Sequence, residues 1–308
     1  MKETLQNMSE IEKLKNKVIY QDSLKVIKEL PSNSIDLIYT DPPYYIEESM
    51  KILRKGNNLK YKASSDLSLE NIKDWDLDQW KSEEEYEEWF YNYLKEFKRI
   101  LKPDRHCIIW LDKKKFSCFG KYAEELGFKF RTPLFWRKTN PVPQARGVSP
   151  AKSIEIALWL TNGKSKQDFY NYKLGLINDV LDSAIPNKQG GKIRHPTQKP
   201  LYVVLFHILY FSKPNDIVLD PFAGSGTTGV ACKLTNRNFI LIEKNKEFIE
   251  NIKFRLNNLN NKNIQKEYNK VKEFILNNYL KSKLTVNEVL ELIGDKEKKK
   301  NKFSKLFE

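Results

Sequence analysis

Ile217-Val218-Leu219-Asp220-Pro221-Phe222-Ala223-Gly224-Ser225-Gly226-Thr227-Thr228 is the stretch whose reading decides the fold. Its first four residues form a short apolar run that reads as a buried strand. Proline and two glycines then mark a tight turn, and a helix opens behind them. Glycines between a strand end and a helix start let the backbone approach a ligand closely, as in the nucleotide-binding turns of α/β proteins. The turn lacks the lysine of a P-loop, which argues against a nucleoside triphosphate. The next strand, 238–242, ends at Glu243, an acid placed where such folds grip ribose hydroxyls. A helix over 246–256 follows.

A second strand-to-turn junction lies upstream. Ser34-Ile35-Asp36-Leu37-Ile38-Tyr39-Thr40 is short and rich in β-formers, and Asp41-Pro42-Pro43-Tyr44 ends it abruptly. Two prolines fix φ and offer no N–H, so their carbonyls stay free to accept hydrogen bonds. A carboxylate, a rigid turn and an aromatic ring thus sit at the carboxyl end of a strand, the edge where open α/β sheets bind ligands. By itself the tetrapeptide reads equally well as a turn with an exposed aromatic.

The rest of the chain alternates strands with helices, which predicts an α/β protein with a mostly parallel sheet. Residues 17–20 read as a strand, and Asp22 or Ser23 caps a helix over 24–30. Ser82 and three glutamates open a strong helix to about residue 101, with Tyr86, Trp89, Phe90, Tyr93, Leu94 and Phe97 on a core-facing stripe. Pro103 and Asp104 break it before a strand over 105–111. A helix over 116–126 and strands over 128–136 and 153–160 come next, then an apolar helix over 201–211. Residues 45–80 form a long polar loop in which Lys51, Arg54, Lys55, Lys60 and Lys62 could reach phosphates and Tyr61 and Trp75 could stack on bases. Residues 161–194 are turn-rich and form a second candidate recognition segment. Beyond 260, apolar residues at helical spacing and a Lys296–Lys300 run describe a basic helical appendage (261–308) to a catalytic unit (1–260).

At 308 residues, 40% hydrophobic and 12% aromatic, the chain is long enough for a sizeable core. A net charge of +14 favours a polyanion, nucleic acid first, although a Lys- and Asn-rich composition also suits an A·T-rich genome. No signal peptide and no apolar run of membrane-spanning length are evident, so a soluble protein of the prokaryotic cytoplasm is expected, without membrane contact. Cys107, Cys118 and Cys232 are unpaired in spacing and read as structural thiols. No second ligand accompanies His106, so no metal site is expected.

With Asp41-Pro-Pro-Tyr44 preceding Phe222-x-Gly-x-Gly, the chain resembles the permuted β group of DNA amino-methyltransferases from about residue 17 to 256. Leu101-Lys102-Pro103, the 136–143 loop and His195-Pro196-Thr197-Gln198-Lys199-Pro200 fall in the order of that group. The resemblance implies a Rossmann-like methyltransferase fold, a seven-stranded mixed sheet with helices on both faces and S-adenosylmethionine over the strand ends. By the family pattern Phe222, Gly224 and Gly226 line the cofactor path. Asp220, Thr227 and Thr228 sit close by, and Glu243 lies on the ribose. Thr197 and Lys199 reach the methionine end, Asp22 lies near the adenine, and Asp41 borders both cofactor and acceptor. Two positions depart from the pattern: Gln21 replaces a Gly that often precedes that Asp, and Tyr45 replaces a common Asn.

Residue chemistry agrees with the resemblance. An adenine amine is a poor nucleophile because its lone pair is delocalised into the ring. If Asp41 and the Pro42 carbonyl accept its two hydrogens, charge can build on nitrogen during attack on a methyl donor. A base inside a duplex has to be flipped out first, and Tyr44 would stack on it. Cytosine C5 methylation would need a Pro-Cys nucleophile that the chain lacks. The expectation is therefore adenine-N6 methylation of double-stranded DNA, within a restriction–modification pair that includes a cognate endonuclease, by a monomer or homodimer. Cytosine-N4 methylation is the alternative within the class, and a catalytically idle DNA-binding module is the alternative outside it.

Overall fold

In the computed structural model, residues 10–45, 80–142, 150–164, 170–186, 198–279 and 284–294 are described. The strands are β1 (Lys17–Tyr20), β2 (Ile35–Thr40), β3 (Leu101–Leu111), β4 (Lys129–Lys138), β5 (Ile154–Thr161), β6 (Val180–Ser183), β7 (Ile217–Asp220) and β8 (Asn238–Glu243). They form one sheet in the order β1-β8-β7-β2-β3-β5-β4-β6. β5 runs antiparallel to both of its neighbours, and every other pairing is parallel. The sheet is therefore mixed, with eight strands where the sequence predicts seven. The added strand is β6, four residues from the turn-rich segment, which pairs Val180 with Phe135 and Ser183 with Lys138. Four residues with a mixed polar pattern carry too little periodicity to be read as a strand.

The helices are α1 (Ser23–Glu29), α2 (Glu83–Ile100), α3 (Phe116–Glu125), α4 (Leu201–Phe211), α5 (Thr227–Leu234), α6 (Lys246–Asn257), α7 (Lys262–Tyr279) and α8 (Val286–Ile293). They cover both faces of the sheet. One core holds side chains of α1, α2 and α3 against Ile38, Ile109 and Leu219, and the other holds α4, α5, α7 and α8 against Leu37, Tyr39 and Trp110. β2 is buried at all six positions, which is why its run is almost uninterruptedly apolar. α4 is buried at ten of its eleven residues, so it has no polar face and needs cover on both sides. The sheet covers one side and α7 the other, with Phe206 meeting Phe274 edge-on at 5.0 Å. Each large apolar side chain so enclosed contributes about 1.5–3 kcal/mol.

The α2–β3 junction differs from the expected break at Pro103-Asp104. α2 ends at Ile100 and β3 starts directly at Leu101, pairing with Ile35, while Leu37 pairs with His106. Residues 102–105 bulge out of that register, with Asp104 at φ 62°. The bulge brings Lys102 and Arg105 onto the buried Asp36, at 2.8 and 3.0 Å, so the polar residues that suggested a break pay for a buried carboxylate. Among the described residues no helix is long and apolar enough to cross a membrane.

Candidate active site

The strand order creates the cleft. From β2 the chain leaves through α2 towards β3, and from β7 it leaves through α5 towards β8, on opposite sides of the β2–β7 pair. Adjacent parallel strands whose connections diverge leave a crevice at their carboxyl ends. Asp41-Pro-Pro-Tyr44 follows β2 and Pro221–Gly226 follows β7, so the two sequence motifs meet there. Their strand ends are tied together by the Thr40 hydroxyl, which donates to Asp220 at 3.0 Å.

Asp220 is consumed by the fold. Its carboxyl also accepts from Thr228 Oγ1 at 2.6 Å and from the Phe222 amide at 3.2 Å, joining β2, β7 and the start of α5. Burial pushes this carboxyl up to about 7, against the hydrogen bonds that pull it down. Thr227 is likewise turned inward, bonded to Ser225 at 2.9 Å and to the buried Arg255 at 3.0 Å.

The loop itself is shaped for close approach. Gly224 and Gly226 both take left-handed backbone, at φ 46° and 71°. A Cβ on Gly226 would sit 2.8 Å from Ile252 Cγ1, so the loop packs flush against α6. Glu243 closes β8 with its carboxylate held at the loop mouth, accepting from the Gly224 amide at 2.8 Å and the Asn245 amide at 2.9 Å. Phe222 lies half-buried beside Tyr93 and Trp89, with ring centroids at 5.0 and 5.6 Å, so part of the α2 aromatic stripe borders the loop. Asp22 stands at the end of β1, where it caps α1 by accepting from the Lys25 amide at 3.1 Å. Thr197 lies outside the described residues, as do the basic and aromatic side chains proposed over 46–79.

Asp41 is the cleft-side end of a charge chain that runs through Lys199 and Glu155 to Lys138. One oxygen accepts from the Tyr44 hydroxyl at 2.9 Å and the other from Lys199 Nζ at 2.5 Å. Lys199, just before α4, is also 3.0 Å from Glu155 of β5, and Glu155 is 2.7 Å from Lys138 at the end of β4. Burial and the nearby Glu155 push the Asp41 carboxyl above its usual range, with Lys199 opposing the rise. Lys199 is pushed down by burial, but the two carboxylates more than offset this and hold it above an ordinary lysine. In Glu155, burial is overcome by the two ammonium groups, and its carboxyl lies low. Asp41 keeps 24% of its side chain exposed against 8% for Lys199, so the aspartate faces the cleft and the lysine lies behind it.

Beneath them, Lys199 lies 5.3 Å from the Trp110 ring centre. Trp110 Nε1 donates to the Tyr39 hydroxyl at 2.9 Å, and that hydroxyl lies 3.3 Å from His207 Nδ1. Burial drops His207 to about 3, so this floor is uncharged. The Tyr86 hydroxyl donates to the Pro43 carbonyl at 3.2 Å, which fixes the turn from the α2 side.

The cleft therefore gathers Asp41, Pro42, Tyr44, Lys199, Phe222, Gly224, Gly226 and Glu243, with Asp220, Thr227 and Thr228 bonded into the fold beneath it and Asp22 on the far side of β8. Lys199, expected towards the methionine end of a cofactor, is bonded to the Asp41 carboxylate. Glu155 and Lys138 belong to the site and were not singled out from sequence. The readable signal was a lone carboxylate in the apolar run Ile154-Glu155-Ile156-Ala157-Leu158. A left-handed glycine turn, an anchored acid at the next strand end and an aromatic flank fit an adenosine-bearing cofactor.

Comparison with known proteins gives the same picture. The family described as DNA methylase, N6_N4_Mtase, matches residues 35–254. The chain is similar to the Type II methyltransferase M2.LlaDCHI of Lactococcus lactis subsp. cremoris, 32% identical over 253 residues, covering 78% of this chain and 88% of that protein. It is 32% identical to the Type II methyltransferase M.HinfI of Haemophilus influenzae over 248 residues, 76% of this chain and 66% of that one. Among solved structures, the M1.HpyAVI–SAM complex superposes with a TM-score of 0.58 at 28% identity, covering 78% of this chain and 98% of the other.

Proposed function

The chain belongs to the N6_N4_Mtase family of DNA methylases, and we propose that it methylates adenine at N6 in double-stranded DNA, at a specific site, with S-adenosylmethionine as donor. The observation that carries this reading is Asp41, a cleft-facing carboxylate on a proline turn, across the Thr40–Asp220 tie from the Gly224–Gly226 loop. Aspartate at the head of the motif favours adenine over cytosine. The bound cofactor of M1.HpyAVI supports the donor, and the Type II names of the two relatives support a restriction–modification role with a partner endonuclease.

When bound, S-adenosylmethionine supplies a methyl group activated by its sulfonium. Gly224 and Gly226 would let the backbone lie against it, Glu243 would take the ribose hydroxyls, Phe222 would flank it, and Asp22 and Thr197 would complete its surroundings, with Thr227 and Thr228 supporting the loop from beneath. Asp41 and the Pro42 carbonyl accept the two hydrogens of the amine. An ionised carboxylate has about four acceptor positions, so Asp41 retains room beside Tyr44 and Lys199. Hydrogen bonds to these oxygens would stabilise nitrogen as it gains positive charge in accepting the methyl group from sulfur, and the Asp41 carboxylate would take the proton that nitrogen then loses. Tyr44, tethered to Asp41 by its hydroxyl, presents its ring to the flipped base. Residues 45–80 and 161–194 supply the DNA contacts.

Nucleoside digestion of DNA methylated by the purified protein tests the base. N6-methyladenine is the expected product. N4-methylcytosine in its place would overturn the assignment.

A further inference from the structure

Lys199 is a full positive charge behind the acceptor carboxylate, and a carboxylate bound to one lysine alone would be a weakened acceptor. Glu155 prevents that arrangement. Its Oε2 lies 3.0 Å from Lys199 Nζ, while its Oε1 is engaged by Lys138 at 2.7 Å. The Oε2 atom is buried and forms an ion pair with Lys199. Glu155 projects from β5, on the far side of β3 from Asp41.

We infer that Glu155 is a positioning residue for methyl transfer: it shares Lys199 with Asp41, so that the Asp41 carboxylate is held in place and still accepts strongly from the amine. The inference rests on the acceptor role of Asp41. The other groups whose charge bears on Asp41 are Tyr44 of the same turn, Tyr39 on β2, Tyr86 on α2 and Asp220 on β7. All but Asp220 are neutral phenols at working pH. Asp220 titrates near 7 in its own right but is unchanged in the variants below, so differences between their pH profiles report the Glu155–Lys138 pair.

Opposite substitutions give opposite results. Glu155→Gln removes a negative charge, leaves Lys199 wholly to Asp41, and moves the acid limb of the single-turnover rate to lower pH. Its rate at neutral pH falls by about tenfold or more, with S-adenosylmethionine affinity by calorimetry within about twofold. Glu155→Asp keeps the charge and recovers part of the rate. Lys138→Met leaves Glu155 wholly to Lys199 and moves the acid limb to higher pH. Asp41→Ala and the wild-type product nucleoside are measured alongside. Wild-type rate and pH profile in Glu155→Gln, beside an inactive Asp41→Ala, overturn the role of Glu155 alone. Losses that merely follow lost folding or cofactor binding in both the Glu155→Gln and Lys138→Met proteins overturn it as well. An active Asp41→Ala overturns the acceptor role itself, and N4-methylcytosine from wild type overturns the base assignment while leaving the Glu155 comparison intact.

Discussion

Asp41 follows β2 and Asp220 is the last residue of the adjacent β7, and each carboxylate has a different duty. Asp220 has three donors inside the fold, whereas Asp41 faces the cleft with acceptor positions to spare. The difference predicts a pH effect on stability. The folded carboxyl of Asp220 titrates near 7, against about 3.9 in an unfolded chain. A carboxyl raised on folding favours the folded state fully below the unfolded value, and that contribution is lost as pH rises through the folded value. Wild-type urea midpoints should therefore fall between pH 5 and 8 more steeply than those of Asp220→Asn. Parallel pH profiles for the two proteins would contradict this account. Residues whose roles are local were legible in the sequence: Asp22 and Ser82 as caps, Gly226 as a turn. Lys199 was legible as part of a motif but not as a partner of Asp41, 158 residues away, because nothing in either neighbourhood encodes that encounter.

Helices and strands were legible where their pattern is periodic or their ends are punctuated. β2, β7, β8 and α2 follow the expected spans to within a residue or two. β6 was missed for want of length, and the 102–105 bulge was read as a break because proline and a polar pair usually end an element. α4 carried a signal that reaches beyond its own bounds: a helix that is apolar all round requires an outer cover. α7 is that cover, so residues 262–279 share a core with the catalytic sheet. Ile275, fully enclosed on α7, tests this directly. Ile275→Ala should cost about 2–5 kcal/mol in urea unfolding, as for other buried large-to-small changes. An unchanged midpoint would show that α7 does not hold α4 in place.

For the molecule as a whole, the site is a consequence of strand order, which no local pattern specifies. The two motifs lie 177 to 185 positions apart in the chain, and only the placement of β7 beside β2 brings them to one crevice. The resemblance implies that placement, and the sheet explains it through the diverging connections at the β2–β7 pair. A net charge of +14 suits the DNA substrate of the family, by sequence-independent attraction to phosphates. The central claim is that the carboxylate at the end of β2 serves the methyl acceptor, while the loop after β7 serves the donor. Single-turnover transfer of labelled methyl from S-adenosylmethionine to DNA by Asp41→Ala, with donor affinity measured by calorimetry on the same preparation, tests it most directly. The account predicts a rate lowered by about 10²–10⁴-fold with donor affinity largely retained. Wild-type rates from Asp41→Ala would contradict it.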